Sequence, residues 1–136
     1  MERRNFIVCS VLTAATVSTP FLKCTSSSDP ALDKKLAIPQ ILSQLLDENG
    51  LMDIGKKYGT IHPNEYSLKT LELQLKKSNE GNSFSSNTSP KEIYNLLDKK
   101  IQNDFEANNI IILNGWILSL TEARQCALFS LMPLTK

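Results

Sequence analysis

The chain has 136 residues, 41% hydrophobic, 21% charged and 7% aromatic, with 15 Lys+Arg against 14 Asp+Glu. That length supports one small domain with one modest core, and it excludes a two-domain dinucleotide-binding enzyme, a barrel enzyme and a multi-pass membrane protein. A net charge of +1, with no basic cluster beyond the first four residues, lacks the electrostatic footprint of a nucleic-acid binder.

Met1-Glu2-Arg3-Arg4 is a short basic start, and a mild apolar run follows it to Leu22, which is the layout of an export signal. The run carries Ser10, Thr13, Thr16, Ser18 and Thr19 and is too short for a membrane span, which needs about 20 predominantly apolar residues. Arg3-Arg4-Asn5-Phe6-Ile7 resembles the twin-arginine signal, in which two arginines precede a variable residue, Phe and an apolar residue. Glu2 stands where that motif usually has Ser or Thr, and Val8 where it often has Lys. The resemblance implies a periplasmic protein handled by the twin-arginine machinery, with Arg3, Arg4 and Phe6 as the recognised residues.

Two ends of the signal stay open. Phe21-Leu22-Lys23-Cys24 before Thr25-Ser26-Ser27-Ser28 looks like a lipoprotein processing site, so Cys24 is a candidate for lipidation and membrane anchoring, although Lys23 occupies a place that is normally small. A small-x-small cleavage site between Ala14 and Thr19 is the competitor. The domain plan is an export signal over 1–23, a flexible tether over 24–35, and a single helical domain over 36–136.

Pro39 suits a first helical turn, and Ile41, Leu42, Leu45 and Leu46 repeat at helical spacing up to a stop at Gly50. Leu51, Ile54 and Tyr58 make a second apolar face closed by Gly59, and Pro63 opens a third helix lined by Leu68, Leu71 and Leu75, with Glu72 and Lys76 as an i,i+4 pair. Ser78 to Ser89 is polar and reads as a surface loop. Ser89-Pro90-Lys91-Glu92 is a capping box with proline at the first helical position, and the helix it opens carries Ile93, Leu96, Leu97, Ile101 and Phe105 as far as Asn108-Asn109. Ile110 to Leu113, Asn114-Gly115 and Trp116 to Leu118 spell a hairpin, because both turn residues tolerate positive φ. Ser119-Leu120-Thr121-Glu122 is a second capping box, and its helix runs to about Met132 before Pro133. The fold class is therefore mainly α: a small domain of about five short helices with one C-terminal β-hairpin.

Chemistry is sparse. One histidine (His62) and three cysteines (Cys9, Cys24, Cys126) lie far apart, and no CxxC, HExxH or CxxCH spacing can be written from them. His62 precedes Pro63 with no visible nucleophile or orienting carboxylate, and Cys126 sits among Ala123, Ala127 and Leu128 as a buried, inert thiol would. No catalytic, cofactor-binding or metal-ligating residue is assigned. The twin-arginine route carries folded proteins, often loaded with a cofactor, yet no cofactor motif is visible here. Either the chain folds too fast for threading, or it carries the signal for a folded partner that lacks one.

Gly115-Trp116-Ile117-Leu118-Ser119-Leu120-Thr121-Glu122-Ala123-Arg124-Gln125-Cys126-Ala127-Leu128 resembles the C-terminal signature of the gluconate 2-dehydrogenase small-subunit family, GW-hydrophobic-LS-x-TEAR-x-CAL. The specific match covers these fourteen residues. Elsewhere, at Ile38 to Leu42 and at Ile54-Gly55 to Tyr58, it is a pattern of spacing. The resemblance implies a non-catalytic small subunit of a membrane-associated sugar or sugar-acid dehydrogenase, with FAD in a partner catalytic subunit and commonly a cytochrome c subunit besides. It implies help in folding and exporting that partner, which agrees with the hitchhiking argument. Trp116, Ser119, Thr121, Glu122 and Arg124 are the candidate partner surface, although hairpin packing and the capping box already explain Ser119 and Glu122. The alternatives are a free-standing periplasmic lipoprotein acting as a structural or binding module and, more weakly, an independent small enzyme.

Overall fold

The computed structural model describes residues 30–77 and 87–133, with backbone only for 30–33. The signal residues Arg3, Arg4 and Phe6, the candidate lipidation site Cys24 and most of the Ser78–Ser89 loop lie outside these residues. Among the described residues are six helices: α1 (Pro30–Ala37), α2 (Leu42–Leu45), α3 (Glu48–Ile61), α4 (Leu68–Lys76), α5 (Pro90–Glu106) and α6 (Leu120–Leu131). Strands β1 (Ile110–Leu113) and β2 (Trp116–Ser119) form the hairpin between α5 and α6. The domain is mainly helical, as the sequence leads one to expect. None of these helices is long and apolar enough to cross a membrane.

The first half departs from expectation in three places, each for a local reason. The second half of the expected tether is helical, and α1 buries Leu36 and Ala37 in the core. The helix expected from Pro39 to Gly50 is a single turn, α2, because Leu46 turns extended (φ −123°, ψ 145°) and Asp47 begins a new helix. The Asp47 Oδ1 accepts the Gly50 N–H at 2.9 Å, so Gly50 lies in the first turn of α3 rather than stopping a helix. One consequence is that Ile41 and Leu45 are left in solvent. Gly59 likewise lies inside α3, which continues to Ile61. Third, Pro63 opens a turn, not a helix: Glu65 donates back to the His62 carbonyl at 3.1 Å, and α4 waits for the Ser67 cap, whose Oγ accepts from Thr70 N at 3.3 Å.

The second half follows its local signals closely. Both capping boxes form, at Ser89/Glu92 and Ser119/Glu122. Helix α5 ends in a Schellman motif around Asn108 (φ 59°): Asn109 N donates to Asp104 O at 2.7 Å and Asn108 N to Phe105 O at 3.2 Å. Asn114 (φ 50°) and Gly115 (φ 83°) make the two-residue turn that pairs Leu113 with Trp116, Ile112 with Ile117, Ile111 with Leu118 and Ile110 with Ser119. That register turns Leu113 and Leu118 inward and leaves Ile112 and Ile117 outside.

Helix α6 is the axis of the domain. It packs against α1, α3, α4, α5 and both strands, and Ala123, Cys126, Ala127, Leu128 and Phe129 are all buried. Its closest neighbour is α3, and the contact depends on Gly55. A Cβ there would stand 2.1 Å from the Cys126 carbonyl oxygen, so only glycine lets the two backbones approach this far. Around them pack Leu36, Leu51, Ile54, Leu71, Leu75 and Ile93, each burial stabilising by about 1.5–3 kcal/mol.

Candidate functional site

The polar groups of the signature segment face inward, to two places on α6. The first lies where α6 meets the α3–α4 turn. Arg124 grips Glu65 with both arms of its fork, Nε to Oε2 and Nη2 to Oε1, each at 3.2 Å. The Tyr58 hydroxyl donates to the same Oε2 at 2.6 Å. The guanidinium above all, and then the tyrosine, hold the Glu65 carboxyl below the usual carboxylate range. Burial, reinforced by Glu65, pushes the Tyr58 phenol up to about 12. The His62 ring lies 4.8 Å from that of Tyr58. Nearby, Tyr66 and Ser130 share a hydroxyl–hydroxyl bond at 2.7 Å, tying the same turn to the far end of α6.

Helix α5 completes this side. Asp104 Oδ2 accepts from both the N–H (2.8 Å) and the hydroxyl (2.5 Å) of Thr121, adding a second acceptor to the start of α6. One turn earlier, Lys100 donates to the carbonyls of Gln74, Leu75 and Lys77, closing the end of α4. Burial, with Arg124 as the next contribution, lowers the Lys100 ammonium to about 8. Every charge here faces an internal partner. The arrangement clamps α3, α4 and α5 onto α6. The Cys126 thiol, pushed up to about 12 chiefly by burial, stays protonated at neutral pH and is a poor nucleophile. Among the described residues no group of His, Cys, Asp and Glu is placed to hold a metal ion.

The second place lies on another face of α6, between α5 and the α1–α2 segment. Gln125 is 2% exposed, and its Nε2 donates to the Leu36 carbonyl at 2.8 Å, which leaves its Oε1 as a buried acceptor without a donor. Gln125 lines a cavity of about 30 Å³ with Glu122, Asp98 and Tyr94, between walls that include Ile38 and Ile101. The cavity shares Ile38, Gln40 and Tyr94 with a wider, shallow depression of about 600 Å³ bordered by Lys34 and Lys35.

The residues expected to face a partner therefore have other positions. Ser119 (0% exposed), Thr121 (1%) and Glu122 (8%) are buried, with Ser119 and Glu122 bonded to each other and Thr121 to Asp104. Arg124 is committed to Glu65, and Trp116 packs partly buried against the core. The structure brings these five together as scaffold around the start of α6, and offers little of them to the surface. Sequence reasoning missed Glu65, Lys100, Asp104 and Gln125. A signal existed for Gln125, an uncharged polar residue among Ala123, Cys126, Ala127 and Leu128. Glu65 had none, since it is 59 residues from its partner. No family model, curated protein or solved structure matches the chain.

Proposed function

We propose that the chain is the non-catalytic accessory subunit of a flavin-dependent sugar or sugar-acid dehydrogenase, holding the catalytic subunit and accompanying it through twin-arginine export. The family resemblance supplies the identity of the partner. The observation that carries a docking role is the outer side of the hairpin, where Ile112 and Ile117 face each other across the strands at 65% and 61% exposure, with Ile110 beside them. Three exposed β-branched side chains on a short hairpin form an apolar stripe of the kind that a partner covers. This moves the candidate surface from Trp116, Ser119, Thr121, Glu122 and Arg124 to the exposed isoleucines of the hairpin. The flavin belongs to the partner, and this chain contributes surface alone.

A free-standing periplasmic lipoprotein with a binding role is the second reading, and the Gln125 cavity favours it. Tagged full-length chain purified from its native membrane fraction in mild detergent, with a flavin absorbance spectrum and mass spectrometry of the bands, separates the two. A stoichiometric flavoprotein of dehydrogenase size is the expected result, lost in an Ile112→Ser/Ile117→Ser variant that keeps its helical circular dichroism. A preparation with no flavin and no large partner overturns the accessory-subunit reading.

A further inference from the structure

We infer that the cavity between α1–α2, α5 and α6 is a binding site for a protonated primary amine on an apolar stem whose far end is anionic. The inference concerns this chain alone and holds whether or not it serves a dehydrogenase. It rests first on the Gln125 amide. The bond from Nε2 to Leu36 fixes which way the amide points, so the buried Oε1 can only accept, and it has no donor. A buried acceptor without a donor is destabilising, and a ligand that donates to it recovers that cost on binding.

The surrounding groups select the kind of donor. Glu122 spends Oε2 on the Ser119 cap and lines the cavity beside Gln125. Asp98 adds a second carboxylate, with one oxygen accepting from Gln102 at 3.1 Å. Two carboxylates and an amide oxygen make the lining rich in acceptors, with Asp98 on the solvent side, which suits an ammonium group with its three donors and repels a carboxylate. Ile38, Leu97 and Ile101 make the sides apolar, matching a methylene stem. About 30 Å³ admits an ammonium head with little more, since one water needs about 10–15 Å³ on the same measure. The outer depression reverses the sign: Lys34 and Lys35 border it and match an anionic far end. Free ω-amino acids have this chemistry, and so does a lysine side chain in an acidic peptide.

The test is nuclear magnetic resonance on the purified, isotope-labelled full chain without any partner, reading the Gln125 side-chain amide and the Glu122 backbone amide. The probes are 6-aminohexanoate, hexanoate and hexylammonium. We expect saturable shifts with 6-aminohexanoate, and binding of hexanoate weaker by about tenfold or more, the cost of one lost charged hydrogen bond. Glu122→Gln retains the capping oxygen and removes the charge, and weakens amine binding about tenfold. Asp98→Asn, at an exposed position, guards against misfolding of that variant and weakens binding in the same direction. Lys34→Ala/Lys35→Ala lowers affinity for 6-aminohexanoate and leaves that for hexylammonium unchanged. A lysine peptide flanked by glutamates that binds more tightly than free lysine assigns the ligand to a partner chain; the reverse order assigns it to a small molecule. No saturable shift at Gln125, an equal response to hexanoate, or an ordered water that no amine displaces overturns the proposal.

Discussion

Helices α5 and α6 begin with the same device in opposite surroundings. In each a serine Oγ accepts the N–H of a glutamate three residues on (3.3 Å in α5, 3.1 Å in α6), and the glutamate Oε2 returns to the serine N–H (3.0 and 2.9 Å). Ser89 and Glu92 do this in water, whereas Ser119 and Glu122 do it under the hairpin, with Asp104 capping the next N–H. In water a broken cap is replaced by solvent. Inside the protein it leaves bare donors, so identical geometry has unequal consequences.

The strongest way to break this comparison is to remove the seat that keeps α6 enclosed. Gly55→Ala forces a Cβ against the Cys126 carbonyl, and overpacking outweighs the gain of about 1 kcal/mol in helix propensity, for a net loss of about 3 kcal/mol in urea unfolding. Glu122→Ala strips the Ser119 N–H of its acceptor inside the protein and should cost about 2–3 kcal/mol in the same measurement. Glu92→Ala, the same change on the surface, should cost distinctly less; equal losses would remove the role given to burial.

Alkaline titration sharpens the contrast for the body of α6. The Cys126 thiol is raised from 9.0 to about 12 in the folded protein. Its stabilising contribution is complete below the unfolded value and is lost as pH rises toward the folded one. At pH 10 the loss should approach about 1.4 kcal/mol, it should vanish in Cys126→Ala, and thermal melts at pH 8 and pH 10 measure it. Tyr58, also raised to about 12, adds a loss of the same sign at higher pH. Ser119→Ala should cost about 2 kcal/mol and Ser89→Ala about 0.5 kcal/mol, the two ends of the range for cap removal. The smallest effect lies at acid pH. The Ser89 backbone N–H, and then its hydroxyl, lower the Glu92 carboxyl, so its contribution is present above the unfolded value and fades as pH falls through the folded one. Glu92→Gln, which removes the titrating group, should flatten that part of the stability curve, whereas Ser89→Ala keeps the backbone N–H and should flatten it only in part.

The part of the fold legible in the sequence was the part written in adjacent residues. Ser89 to Glu92, Asn114-Gly115 and Ser119 to Glu122 each satisfy their own backbone within four positions, and each formed as read. Where two local signals competed, reading failed. Pro39 and the leucine spacing argued for a long helix, and the Asp47 cap overrode both. Pro63 could open a helix or a turn, and the Ser67 cap decided it. The candidate site was legible only as a dense motif. From Trp116 to Arg124 the residue types drew attention correctly, but their direction depended on Glu65 and Asp104, which no local pattern ties to them. The Gln125 cavity required three segments far apart in sequence to meet.

The position of α6 at the centre bears on how the chain acquires its structure during synthesis. Helices α1, α3, α4 and α5 each turn an apolar side toward a helix that follows them all in the chain. A growing polypeptide that has reached only Glu106 has amphipathic segments that touch one another at few places and lack their main packing partner. When residues 120–131 arrive, α1, α3, α4 and α5 gain that contact together, and assembly is dominated by pairings distant in sequence.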